Sequence, residues 1–169
     1  GFDRLSTMAL IYNHPYYPEH MKKHGYYKET GWVEYRITIP EEMPEKHAKY
    51  AELIKQRYNL KVRKLTRRQI KKERYGHKLF QLINETYCVL YGYSLLSEKQ
   101  IDQYVDMYLG IVDMDMLTFV EDAEGELIAV GISIPSLSEA LQKCNGELFP
   151  FGWWHLLKAM YFKKPDTLD

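Results

Sequence analysis

Residues 117–150 read LTFVEDAEGELIAVGISIPSLSEALQKCNGELFP. Two runs rich in Val, Ile, Phe and Leu, 117–121 and 127–134, flank a polar stretch that contains Gly125. A glycine able to take positive φ between two apolar runs predicts a β-hairpin. The second run, LIAVGISI, is apolar at nearly every position. Apolarity on both faces predicts a covered, central strand in a mixed sheet. Pro135 ends that strand. Ser136-Leu-Ser-Glu139 then has capping-box spacing, in which a serine oxygen accepts from the amide three residues on. The hairpin is thus expected at the middle of an α/β fold, a sheet flanked by helices.

Working backwards from the hairpin, Ile101, Tyr104, Val105, Tyr108 and Leu109 fall at i, i+3, i+4, i+7 and i+8. That spacing lines one helix face, and Ser97 with Gln100 supplies a capping box at its start. Thr66 with Gln69 supplies another, opening a long helix to about Tyr91 with Leu79, Phe80, Ile83, Tyr87 and Leu90 on its apolar side. Residues 60–65 alternate and predict a strand. Residues 45–58 predict a helix with Ala51, Ile54 and Tyr58 on one face.

Towards the N-terminus, residues 7–12 read as a short strand, and Pro18 suits the first turn of a short helix that ends at Gly25. Residues 32–39 alternate, which predicts a half-buried strand with Val33, Tyr35, Ile37 and Ile39 inward. Residues 40–44, with a proline at each end, break it. After the hairpin, residues 152–164 predict a last helix with Trp153, Leu157, Met160 and Tyr161 on its apolar face. Lys163 and Lys164 complement its C-terminal end and Pro165 stops it.

Composition narrows the function classes. A chain of 169 residues, 46% hydrophobic, is long enough to bury a sizeable core. A net charge of zero creates no overall field towards nucleic acid, and no run is long enough to span a bilayer, so neither partner is expected. Cys88 and Cys144 belong to no CxxC pair, which suits a reducing cytoplasm. Residues 1–5 do not read as the start of a signal peptide. The missing initiator Met and the abrupt stop at Thr167-Leu-Asp169 read as a piece of something longer.

Chemistry is less legible. GxSxG, HExxH, GxxxxGK[ST] and GxGxxG are all absent. His20 and His24 share a helix face, but no third metal ligand accompanies them, and they read as solvated side chains. Residues 61–78 carry nine Lys/Arg and one acid; residues 98–126 carry nine acids and one Lys. The first reading of this pair is two solvated faces that attract each other. The second is a phosphate-binding face.

From residue 60 onward the order is strand, long helix, second helix, hairpin. With Leu148-Phe-Pro-Phe-Gly-Trp153, His155-Leu-Leu-Lys-Ala159 and the preceding Pro135-Ser-Leu-Ser138, it resembles the GNAT superfamily of N-acetyltransferases, in particular a group of bacterial GNAT-like proteins. Asn13, the Pro18 helix, Gly25-Tyr26 and residues 32–39 are similar to the closing end of a GNAT domain. The resemblance implies three parts. Residues 1–40 would be the end of one GNAT-like unit, 41–59 a linker helix, and 60–169 the opening half of a second unit, incomplete here.

It also implies acetyl-CoA as the cofactor of the longer protein and a small-molecule or peptide amine as acceptor. Tyr91, Tyr93, Ser133 and Ser136 are the residues expected to line the acceptor site. The sequence departs from the family at two places. The [RQ]xxGx[GA] loop whose backbone amides hold the CoA pyrophosphate is absent, so no cofactor-binding residue is expected in this chain. Where the family often places a tyrosine acid, four residues before the terminal glycine, stands Met21, which leaves Tyr17, one turn earlier, as the candidate. The rival reading is a non-catalytic binding module on the same fold.

Overall fold

The computed structural model describes residues 1–3, 7, 10–162 and 165–168. The chain divides into two compact units: Gly1–Ile39 with Pro135–Asp169, and Pro40–Ile134. The first break falls at Pro40, the start of the proline-bounded stretch. The second falls inside the 60–169 stretch.

The Pro40–Ile134 unit holds the hairpin. Strands β2 (Leu117–Glu121) and β3 (Leu127–Ile132) pair antiparallel, with Phe119 opposite Val130 and Leu117 opposite Ile132. Asp122 builds the turn. Its Oδ1 accepts from the amides of Glu124 and Glu126 at 3.1 and 2.8 Å, and Gly125 takes φ +86°. Strand β1 (Lys61–Arg63) pairs antiparallel with the other edge of β2. The order is β1-β2-β3.

Two expectations are corrected here. The sheet is antiparallel in both ladders rather than mixed, and its centre is β2. Among the described residues strand β3 lies at an edge; it ends at Ile132 and leaves Ile128 and Ile132 more than two-fifths exposed. Side-chain apolarity does not decide a strand's place in the sheet; backbone pairing does. The backbone of β2, despite its Thr118 and Glu121, is paired on both sides.

Helices pack on this sheet as their caps and faces predict. The capping boxes at Thr66–Gln69 and Ser97–Gln100 both form, opening α3 (Arg67–Lys72) and α5 (Glu98–Ile111). The long helix expected from Thr66 is broken. Arg74 adopts the left-handed region at φ +57°, and α4 (Tyr75–Tyr87) starts afresh beyond it. Leu65, Ile70, Tyr75, Leu79, Ile101, Val105, Leu109, Leu117 and Phe119 form the core, with Phe119 fully buried. Helix α2 (Glu45–Arg57) forms where expected, but Tyr50, Leu53 and Ile54 on it are exposed.

In the other unit, α1 (Tyr17–Lys23) closes in a Schellman motif. Tyr26 N–H donates to Met21 O and Gly25 N–H to Lys22 O, with Gly25 at φ +84°. The strand expected over 7–12 does not form where it can be seen: Leu10 N–H donates to Thr7 O in a turn, and Met8 and Ala9 lie outside the described residues. Residues 32–39 form no strand either, and Val33, Tyr35, Ile37 and Ile39 are at least 73% exposed. Alternation becomes a strand only against a partner that takes its backbone groups, and none pairs with it among the described residues.

Helix α6 (Ser138–Cys144) begins two residues later than the expected Ser136 cap. Ser136 N–H donates instead to Thr167 O at 2.9 Å, beside a bridge between Pro135 and Leu168, so the chain there is held extended. Helix α7 (Gly152–Leu157) passes into a π-helical turn, Lys158–Phe162. Lys163 and Lys164, expected to complement its end, lie outside the described residues.

Helices α4 and α5 meet at Gly76. A Cβ there would lie 2.8 Å from Val105 Cγ2, whereas one at Gly110 on α5 would meet nothing within 4 Å. Gly76→Ala is therefore expected to lower stability by about 1–3 kcal/mol through overpacking. Gly110→Ala should raise it by up to about 1 kcal/mol through helix propensity. Urea unfolding of the two variants checks the opposite signs.

Candidate functional site

The residues expected to line an acceptor site have the following places. Tyr93 is half-buried in the loop after α4. Its hydroxyl donates to Asn84 Oδ1 at 2.8 Å. The same oxygen accepts from the Leu96 amide at 2.8 Å, and Asn84 Nδ2 donates to the Leu96 carbonyl at 2.9 Å. Tyr93 thus braces this loop against α4, with Tyr87 edge-on to its ring. Tyr91 lies exposed in the turn before it. Ser133, half-buried, donates its amide to Met116 O at 3.1 Å and prolongs the hairpin by one bond. Ser136, in the other unit, is buried, and its hydroxyl meets that of Ser138 at 3.3 Å.

Tyr17, the candidate acid, is exposed on α1 among neighbouring rings that meet it edge-on. Its ring centroid lies 4.8 Å from Tyr16 and 5.3 Å from His14. Repulsion from a neighbouring Tyr16 phenolate holds the Tyr17 pKa above the ordinary tyrosine value. Slight desolvation, a hydrogen bond with Tyr16 and the charge of Tyr12 act in the same direction.

Two features of the Pro40–Ile134 unit are not among those expectations. The first is a buried carboxylate. Glu121 ends the inward row Leu117, Phe119, Glu121 of β2 and is only 3% exposed. It accepts from the Tyr75 hydroxyl and from Arg63 Nη1, at 3.1 Å to Oε2 and 3.4 Å to Oε1. Lys78 Nζ stands 5.2 Å from the centre of the Tyr75 ring. An acid at an inward position of an otherwise apolar row was the signal in the sequence, because a buried carboxylate requires donors.

The second is an apolar cavity of about 280 Å³ between α3, α4, α5 and the hairpin. Ile70, Leu79, Phe80, Val105, Phe119 and Ile132 are among its walls. Among the described residues, no acid, base or nucleophile lines it apart from Tyr108, so it can hold an apolar group but offers little for proton transfer. No single periodic stretch could reveal it, since five elements contribute.

The basic and acidic segments meet at separate points. Besides Arg63–Glu121, Lys71 Nζ lies 3.8 Å from Asp106, His77 Nε2 lies 2.7 Å from Asp102, and Lys64 Nζ donates to the Asp115 carbonyl at 2.6 Å. Among the described residues, no group of three or more His, Cys, Asp or Glu could hold a metal ion, and no helix is long and apolar enough to cross a membrane.

No family model matches the chain. No solved structure matches it either. Among curated proteins it is similar to Protein YghO of Escherichia coli (strain K12), at 24% identity over 163 residues. That alignment covers 93% of this chain and 39% of YghO, so the chain spans about two fifths of its relative's length.

The ring cluster makes a spectroscopic prediction. Tyr17 should remain a phenol to higher pH than a free tyrosine, which ionises near pH 10. In Tyr16→Phe the largest cause is removed, and the Tyr17 midpoint should fall towards that value. Carbon-13 NMR of labelled tyrosine rings across an alkaline titration reads both midpoints.

Proposed function

We propose that this chain is part of an acetyl-CoA-dependent N-acetyltransferase of the GNAT type, acting in the cytoplasm on a small-molecule or peptide amine. The observation that carries the reading is the element order of the Pro40–Ile134 unit. Strand β1, the broken helix α3–α4, helix α5 and an antiparallel hairpin follow one another as the resemblance implies, and β3 keeps a free edge among the described residues. The Leu148–Trp153 segment supports it from sequence.

Acetyl-CoA itself does not fit the residues present. Binding its pyrophosphate calls for a glycine-rich turn whose amides converge at a helix start. The helix that follows β3 is α6, entered through Pro135, Ser136 and Leu137 without glycine or a side-chain cap. The cations Arg63, Lys64 and Lys71 are engaged with Glu121, the Asp115 carbonyl and Asp106. No catalytic step is therefore assigned to this chain.

A second reading has its own observation. The Tyr93 hydroxyl is spent on Asn84 and Met21 stands where the family acid is expected, which favours a module that kept the fold and lost the chemistry. Calorimetric titration with acetyl-CoA at physiological salt distinguishes the readings when run on two proteins. The 169-residue chain should give no saturable heat. The natural polypeptide that contains it should bind acetyl-CoA and release free CoA thiol when amines are supplied. A natural polypeptide inert to acetyl-CoA would leave the binding module. Micromolar binding to the 169 residues would reveal a phosphate cradle in them and overturn the fit argument.

A further inference from the structure

We propose that the apolar cavity of the Pro40–Ile134 unit binds the aliphatic tail of a medium-chain carboxylate, with Arg67 receiving the head. The inference rests on the cavity and its rim and not on the acyltransferase reading. At about 280 Å³ the space is roughly twice the ~150 Å³ cavity that accommodates benzene, and so has room for a chain of roughly eight to ten carbons. Its shape argues for a slender occupant. The walls run from Ile132, 42% exposed at the sheet edge, down to Ile70 and Phe119, at 1% and 0%. A folded partner cannot reach that depth, whereas a single alkyl chain can. The walls offer almost no hydrogen-bonding atoms, so the buried part of the ligand must be apolar as well.

The rim supplies the charge. Val112 is one of the lining residues, and its carbonyl accepts from Arg67 Nη2 at 3.0 Å. This bond uses one of the five N–H donors of the guanidinium and fixes the group beside the cavity. Arg67 is otherwise exposed. The nearby Asp106 carboxylate would oppose an anion, but Lys71 lies 3.8 Å from it and offsets its charge. A guanidinium held at the lip of an apolar slot suits a carboxylate above an alkyl tail.

The test titrates the 169-residue chain with decanoate and with decanol, each below its aggregation threshold, and follows isoleucine and valine methyl signals by NMR. Saturable one-to-one binding is expected, with the largest shifts at Ile70, Val105 and Ile132. Decanoate should bind about tenfold tighter than decanol, the factor that one charge-assisted hydrogen bond supplies. Arg67→Gln, an exposed change that does not threaten folding, should weaken decanoate about tenfold and decanol much less, and so remove that preference. Ile83→Phe, which fills part of the slot, should weaken both. Absence of saturable binding by either compound overturns the proposal. So do shifts centred outside the cavity, loss of native signals on titration, or a preference for decanoate that survives Arg67→Gln.

Discussion

The carboxylate of Glu121 is the constraint from which the Pro40–Ile134 unit is organised. It stands at the end of the inward row of β2, 46 positions from Tyr75 and 58 from Arg63, and both donate to it. One group thereby joins β1, β2 and the first residue of α4. The left-handed turn at Arg74 belongs to the same arrangement, because it ends α3 and starts α4 with Tyr75 turned inward. A non-glycine residue in that region costs about 1–2 kcal/mol. A hydrogen bond to a charged group contributes about 1.5–3 kcal/mol, enough to offset the turn. The Tyr75 bond carries most of this, since it is buried, whereas the Arg63 side chain is 38% exposed and its attraction is screened.

Local signals in the sequence were read well where they depend only on neighbours. Both capping boxes that formed are side-chain-to-amide bonds across three residues, and the hairpin turn is fixed by Asp122 and Gly125 alone. The amphipathic face of α5 was legible for the same reason, with Ile101, Val105 and Leu109 buried as their spacing predicts. What failed depended on distant partners. The break at Arg74, beyond which Tyr75 meets Glu121, is recorded by no helical periodicity. The place of β3 at the edge is decided by which backbone pairs with β2. Residues 32–39 have the alternation of a strand and no ladder to join among the described residues.

The candidate site was legible only in part. Tyr91 and Tyr93 do sit together in the loop between α4 and α5, but the Tyr93 hydroxyl serves Asn84. Glu121 was not among the expected residues, although an acid in an apolar row was a signal for it, and the cavity left no signal, since its walls come from five elements. The slot lies under the two helices that the Glu121 contacts help to position, so a loss of those contacts would reach the cavity through α4. The segment on which the GNAT expectation chiefly rested, Leu148–Trp153, presents Phe149 and Phe151 at least 75% exposed. That is a surface feature rather than a core one.

A double-mutant cycle on Tyr75 and Glu121 tests the organising role of the carboxylate most directly. Tyr75→Phe leaves a buried acid with Arg63 alone, and Glu121→Leu leaves a buried hydroxyl without its acceptor. Removal of one partner of a buried hydrogen bond is costly, while replacing both with apolar groups can be close to neutral. Urea unfolding of the wild type, the two single variants and the double variant should therefore give a coupling energy of about 1–3 kcal/mol, with the double variant more stable than the sum of the singles predicts. Additivity within about 0.5 kcal/mol would contradict the account and leave Glu121 as a tolerated acid rather than the tie between β1, β2 and α4.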